Sequence, residues 1–563
     1  MHNRREFIGF LGKATLGSAI LPPFLSSCGS TTTPSESFGS INQENLEHLR
    51  SVILEGLSAS DQDDLLLANG LNYQPVIKWG DKISAVDSFG FNNDFTCFIP
   101  LDESNPKDGL LWVNHEYINP LFVSNFDFAA YDDPREHRTK EQVDKEMYAV
   151  GGSIVRIKEE NGKWGIVEND PYNRRITAQT PIQVNWDEPI LGSATIYGTH
   201  SNCSGGITPW NTFLTCEENY DYVFGETEYD ENNVASKRPS VHGWESFYDY
   251  PPEHYGWVVE VDPKTGSAQK HIALGRFAHE CCTIYEMEDK RIVAYTGDDK
   301  NNEHLYKFIS SKPGSLKEGT LYVANTDDGN WLALDWDTQP ILQERFRDQT
   351  EVLIRAREAA KLLGATELNR PEDIEIDPVT GNVLVALTNN YSKNDFHGSI
   401  LKVEETDGKY DSLTFKASTY LAGGEDNGFS CPDNLAFDLS GNLWFTSDMS
   451  GSKMNKEDGP YMAFKNNSLF VVPRYGEEAG SVIRVASGPR DSELTGPWFS
   501  PDGKTLFLSV QHPGEQTKDL TNPTSTWPFD DDRIPKPAVV AIKGDLLEKM
   551  NHLRQIHSSN GKA

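Results

Sequence analysis

Six short segments of this chain set carboxylates, amides or a thiol beside runs of strand-forming residues. They are LLWVNHEYINP with Asn114, His115 and Glu116; THSNCSGGITPWNTFLTCEENY with Cys203, Glu217 and Glu218; LGRFAHE with His279 and Glu280; YTGDDK with Asp298 and Asp299; LNRPEDIE with Arg370, Glu372 and Asp373; and SCPDNLAFD with Asp433 and Asn434. Strand ends and the loops that join them are where a rigid β scaffold mounts functional groups. Oxygen-rich sets suit hard cations: calcium accepts about six to eight oxygens, and ferric iron also favours anionic oxygen. Histidine, the usual zinc ligand, is too scattered here to suggest a zinc site.

Each segment has a plain explanation when taken alone. Asp298 and Asp299 could cap a turn, Asn434 could satisfy backbone, and Glu217 with Glu218 could be a solvated pair. Together they point to a cation, because adjacent carboxylates beside apolar strands repel unless a positive charge or a proton offsets them. They span more than half the chain, so only the fold can bring them together. No serine has the G-x-S-x-G context of a nucleophile elbow and no P-loop is present, which leaves metal-assisted chemistry as the consistent reading.

Turns followed by short strands must position these groups. VDPKTGSAQKHIAL (261–274), IDPVTGNVLVALTN (376–389), FDLSGNLWFTSD (437–448) and FSPDGKTLFLSV (499–510) share one form: an apolar residue, a turn built on Asp and Gly, then a strand. Their separations are uneven, so they read as blades with insertions rather than a strict short repeat. The expected fold is therefore all-β dominated, a β-propeller with insertions and a few peripheral helices, spanning 41–563 as one domain. Helical spacing predicts a helix within Gln43 to Leu67 and an amphipathic one from Gln349 to Leu363 that stops at Gly364, with a solvated charged face. In RPED, Pro371 is expected to hold Arg370 extended. Asp373, on the opposite face to Glu372, reads as structural.

At 563 residues the chain can bury a large core. Asp and Glu outnumber Lys and Arg by 85 to 51, a formal charge of −34, which argues against nucleic acid or an anionic membrane surface as the main partner. Residues 1–28 read as a secretion signal: Arg4 and Arg5 stand paired in NRREFIGF ahead of a modest apolar stretch, similar to the twin-arginine class. Leu25, Ser26, Ser27 and Cys28 resemble the bacterial lipobox, which gives a lipid anchor at Cys28, and residues 29–40 read as a tether. The remaining six cysteines permit three disulfides, but buried thiols and a single metal-bound thiolate remain equally open.

In order along the chain, LNYQPVIKWGD, WVNHEY, TPWNTFLTCEENY, GRFAHE, YTGDDK, KEGTLYVA, LTNNYS, CPDNLAFD and QHPGE resemble the successive signatures of the PhoX-type alkaline phosphatases. The resemblance covers roughly four-fifths of the chain. It implies a six-bladed propeller whose channel holds an Fe3+ and Ca2+ cluster and hydrolyses small-molecule phosphomonoesters. Carried over by motif, Cys203 would be the thiolate on iron; Glu116, Glu217, Glu218, Glu280, Asp299, Glu372 and Asp433 would be carboxylate ligands; Asn114 and Arg370 would contact the phosphate. It also implies a monomer that meets the twin-arginine export machinery and works in the periplasm or at the cell surface. Two other readings predict different chemistry: a calcium-dependent propeller phosphodiesterase or lactonase, and a non-catalytic surface lipoprotein whose calcium only holds the channel together. The first has no essential thiolate at Cys203, and the second needs neither Cys203 nor Arg370.

Overall fold

The computed structural model describes residues 41–560, so the signal, lipobox and tether at 1–40 lie outside the described residues. Six sheets follow one another around a ring, antiparallel except where Pro181–Asn185 joins Ala268–His271 in parallel at the outside of the second. Their innermost strands are Asn93–Pro100, Asn202–Ile207, Thr283–Glu286, Pro371–Ile376, Pro432–Phe437 and Glu493–Phe499, each in contact with the next and the last with the first. The second strands are Asp108–His115, Phe213–Glu217, Arg291–Gly297, Val383–Leu387, Leu443–Ser447 and Leu506–Gln511. This is a six-bladed β-propeller.

Alternation of apolar residues along every strand fills the gaps between blades, and the core is accordingly divided into layers rather than gathered at one centre. Phe98, Leu111 and Val113 of the first blade meet Phe507, Val539 and Ala541 of the sixth. Leu384, Ala386 and Ile400 of the fourth meet Leu435, Leu443 and Phe470 of the fifth. Burying each of the larger of these side chains is worth about 1.5–3 kcal/mol.

The turn motifs sit where their chemistry requires. Asp262, Asp377 and Asp438 each accept two backbone N–H bonds within their own turn. Gly266, Gly381 and Gly441 close those turns with φ near +75°, a conformation that a Cβ disfavours.

The ring is closed by strands from both ends of the chain. Asn72–Lys78 pairs antiparallel with Ala538–Lys543 and becomes the outer strand of the sixth blade, while Leu66–Leu67 is added to the edge of the fifth. The helix expected within Gln43 to Leu67 occupies only Gln43–Ser51, because the residues beyond it are used in these edge contacts. The helix expected over Gln349 to Leu363 breaks into Gln349–Ile354 and Ala356–Leu363 at Arg355, whose φ and ψ are −111° and 39°. Gly364 ends it in a left-handed cap. Its charged face is not simply solvated: Arg357 Nε donates to Asp298 Oδ2 at 2.7 Å, and Lys361 Nζ is 2.6 Å from Glu303 Oε1.

Insertions after the second strands of the first two blades pack on each other. Helix Lys140–Ala149 starts with a capping box between Thr139 and Gln142. Its Glu146 pairs with buried Arg138 and accepts from Trp244 Nε1 at 3.0 Å, which ties one insertion to the other. All six cysteines after residue 40 are free thiols, so the three permitted disulfides do not form, and Cys203 has no cysteine partner.

Candidate metal centre

An inner strand begins where the second strand of its hairpin ends, so both termini open on one face of the ring. At the inner-strand starts stand Asp94, Cys203, Glu280, Glu372, Asp433 and Glu493, one from each blade. Just past the second-strand ends stand Glu116, Glu218, Asp299, Asn389, Asp448 and His512. Two concentric sets of ligand-type side chains therefore converge on the channel mouth.

A shared backbone device aims the inner set. Asn92, Ser201, Arg370, Cys431 and Asp491 all have φ between 51° and 58°, and each lies two residues before its blade's inner side chain. Such left-handed non-glycine residues cost about 1–3 kcal/mol each and persist where the surroundings enforce them. In four blades the ladder then shifts register, between Asn93 and Thr96, Asn202 and Gly205, Pro371 and Ile374, and Pro432 and Leu435. Asp94, Cys203, Glu372 and Asp433 sit inside those irregularities, which turn a side chain off the regular pleat. The expectation that Pro371 holds Arg370 extended is thus corrected: Arg370 takes the left-handed conformation despite the proline, just ahead of the ladder irregularity between Pro371 and Ile374.

Three overlapping groups each bring ligand atoms within 4.8 Å of one another: Asp94, Glu116 and Cys203; Cys203, Glu218 and Glu280; Glu280, Asp299 and Glu372. Cys203 and Glu280 belong to two groups each, so the set is one continuous cluster across four blades. Cys203 Sγ lies 3.2 Å from Glu280 Oε1 and 3.3 Å from Asp94 Oδ2, within reach of either as the partner of its one S–H. Gln511 Nε2 brackets Glu116 Oε2 at 2.7 Å and Asp94 Oδ2 at 3.1 Å. Thr388 Oγ1 donates to Glu372 Oε1 at 2.9 Å. Asp433 lies outside the three groups, but its charge reaches Glu280 and Glu372.

Burial and then mutual repulsion push these carboxyls up. Glu116, Glu280, Glu372, Asp433 and Glu493 rise well above the ordinary carboxylate range. Burial lifts Asp94 to about 7 and Glu218 to about 8. Burial, followed by the surrounding carboxylates, raises the Cys203 thiol as well. Asp299 alone in the groups is held low: burial raises it, but Arg370 and Lys300 outweigh that. Glu280 Oε2 and Asp299 Oδ1 are buried without a hydrogen-bond partner. A set of buried acids with orphaned oxygens fits cations, which would offset the repulsion and take up those oxygens.

Arg370 crosses the mouth. Its guanidinium lies 2.6 Å from Glu372 Oε1, 2.7 Å from Asp299 Oδ2 and 3.6 Å from Asp448 Oδ2, with its side chain 23% exposed.

Two expected residues do not face the cluster. Glu217 points into the second blade, where its carboxylate takes the Lys270 ammonium at 2.6 Å and the backbone N–H groups of Gly256 and Trp257. Adjacent strand residues face opposite ways, so Glu218 and Glu217 cannot both line the channel. Asn114 is fully buried and saturated: its amide donates to the carbonyls of Cys203 and Ser204, and its oxygen accepts from Trp112 Nε1 and Thr215 Oγ1. It supports the backbone under Cys203 rather than reaching a substrate. The motif reading missed Asp94, Asp448 and Glu493. Each lies at a blade position equivalent to one that was found, and that equivalence was the available signal.

A buried, cation-seeking cluster at the mouth of a six-bladed propeller, crossed by one guanidinium, defines a metal-dependent propeller hydrolase that acts on an anion. A sequence model described as alkaline phosphatase PhoX matches residues 54–514, and the chain belongs to that family. It is a phosphatase of small phosphoesters. The structure of Pseudomonas fluorescens PhoX in complex with vanadate, a transition-state analogue, is similar at 29% identity, covering 87% of this chain and 98% of that one with a TM-score of 0.77. A protein of unknown function from Dyadobacter fermentans shares 10% identity over 85% of this chain and 100% of its own, with a TM-score of 0.39. A Xanthomonas campestris gluconolactonase shares 9% over 84% and 98%, with a TM-score of 0.30. Neither of the last two likenesses carries an argument about this chain. Among curated protein sequences, none matches it.

Proposed function

We propose that this protein hydrolyses phosphomonoesters at the cluster with Fe3+ and Ca2+ as its cations. The observation that carries the proposal is the continuity of the three ligand groups through Cys203 and Glu280, with Arg370 in contact with Asp299 and Glu372 of the third group. One soft donor among many hard oxygens suits iron beside calcium better than a calcium-only site. Multivalent cations would offset the charge of a phosphomonoester dianion and lower the pKa of coordinated water. Cys203, Asp94, Glu116, Glu218, Glu280, Asp299 and Glu372 would hold them, with Asp433, Asp448 and Glu493 completing the ring.

Arg370 would grip two phosphate oxygens with its planar fork and stay charged at alkaline pH. Its present contacts are all carboxylates, so cations that claim Asp299 and Glu372 would release its N–H groups toward the substrate. Asn114 would keep the Cys203 backbone in place without touching the ester. The paired Arg4 and Arg5 and the Leu25 to Cys28 sequence support export by the twin-arginine route and a lipid anchor, with the protein working as a monomer in the periplasm or at the cell surface.

Purified exported protein is expected to contain iron and calcium and to hydrolyse p-nitrophenyl phosphate until a chelator removes them. Glu372→Ala should lose metal. Arg370→Ala should keep its metal and lose about ten- to a thousandfold in kcat/KM, the scale of one transition-state contact. A chelator-resistant activity without iron would sink the proposal.

A further inference from the structure

The mouth holds a second cation. Lys300 follows Asp299 in the loop after Arg291–Gly297, and its ammonium donates to Asn219 Oδ1. It lies 3.5 Å from Glu218 Oε1, while Asn219 Nδ2 donates to Glu218 Oε2 at 2.6 Å. On its other side is the ring of Tyr222, its centroid 5.6 Å away and the residue 42% exposed. Lys300 therefore stands over the second and third blades, whereas Arg370 reaches across to Asp448 of the fifth.

The other buried lysine pairs look different. Lys270 meets Glu217 at 2.6 Å and Lys307 meets Glu405 at 2.8 Å, with both lysine side chains fully shielded. Those are sealed structural bridges. Lys300 is a loose partner at 3.5 Å with a third of its side chain exposed, and its ammonium has three donors. A cation bound by Glu218 would weaken the hold on Lys300 further and leave N–H groups directed at the mouth.

We propose that Lys300 is a second phosphate-binding residue, gripping the phosphoryl oxygens from the Glu218 side of the mouth while Arg370 grips them from the Glu372 side. The proposal rests on the phosphatase reading. It extends that reading to a two-cation clamp in which a point charge on a mobile stem complements a fixed fork. The open Tyr222 ring beside it borders the path by which the ester's organic part enters.

The test uses metal-loaded protein and inorganic phosphate as the probe, with Kd from calorimetry and metal content from the same samples. Lys300→Met should weaken phosphate binding about tenfold, which corresponds to about 1.4 kcal/mol, while iron and calcium stay at wild-type levels. Lys300→Arg should restore most of the affinity. Unchanged phosphate affinity in Lys300→Met overturns the proposal. So does loss of metal in that variant, since the lysine would then serve only to hold Glu218. A wild-type protein that is loaded with metal but binds no phosphate would overturn the phosphatase reading along with it.

Discussion

Three neighbouring acid pairs divide their work by strand parity. Glu218, Asp299 and Glu372 face the cluster, while Glu217 meets Lys270, Asp298 meets Arg357, and Asp373 accepts the backbone N–H groups of Ile374 and Leu435. The motif TCEEN names the pair without saying which member turns inward. The alternation of an extended chain does say so, and applied to Asp373 it gave the side of the strand on which that carboxylate lies. Glu217 therefore belongs to stability. Glu217→Gln leaves the Lys270 ammonium buried and unpaired, and thermal unfolding should show a loss of about 3–5 kcal/mol with metal content retained. Glu218→Gln should do the reverse, losing bound metal without destabilising the metal-free protein.

At the scale of elements, the propeller was legible because each blade repeats a turn motif whose Asp and Gly have fixed backbone jobs. The helix Gln349 to Leu363 was legible from its spacing, but its break at Arg355 was not: there the guanidinium lies 3.9 Å over the ring of Tyr229, which comes from a distant segment. Most of the ring of inner ligands was legible. Cys203, Glu280, Glu372 and Asp433 stood out beside conspicuous motifs, while Asp94 is a lone acid in FNNDFTCF and Glu493 shares RDSEL only with Asp491. Nothing local marks them; only their place at the start of an inner strand does, and that place depends on long-range pairing. The edge strand Asn72–Lys78 is the element on which closure depends. Ile77 is buried between it and the first blade, and Ile77→Ala should cost about 2–5 kcal/mol in a thermal or urea melt. A change below about 1 kcal/mol would mean the closing strand contributes little.

The whole molecule carries a formal charge of −34, and its mouth gathers acids whose proton affinities are raised in the folded state. A raised folded value means that the native protein keeps protons the unfolded chain has released. Stability without metal is therefore greatest below the ordinary carboxylate range and falls as pH climbs through the folded values of about 7 for Asp94 and about 8 for Glu218. Each such group contributes up to about 1.4 kcal/mol per pH unit. Metal-free protein should lose melting temperature steadily between about pH 5 and about pH 8. Added cations should flatten that slope, and parallel slopes with and without cations would contradict the account.

The closing strand also sets a timetable. The first blade, with Asp94 and Glu116, touches the sixth, with Thr495 and Gln511, across the same seam that Asn72–Lys78 and Ala538–Lys543 complete. Those partners come from the two ends of the polypeptide. During synthesis the first blade is therefore made long before the Thr495 and Gln511 that border its Asp94 and Glu116, and that side of the pocket stays open until the sixth blade is added.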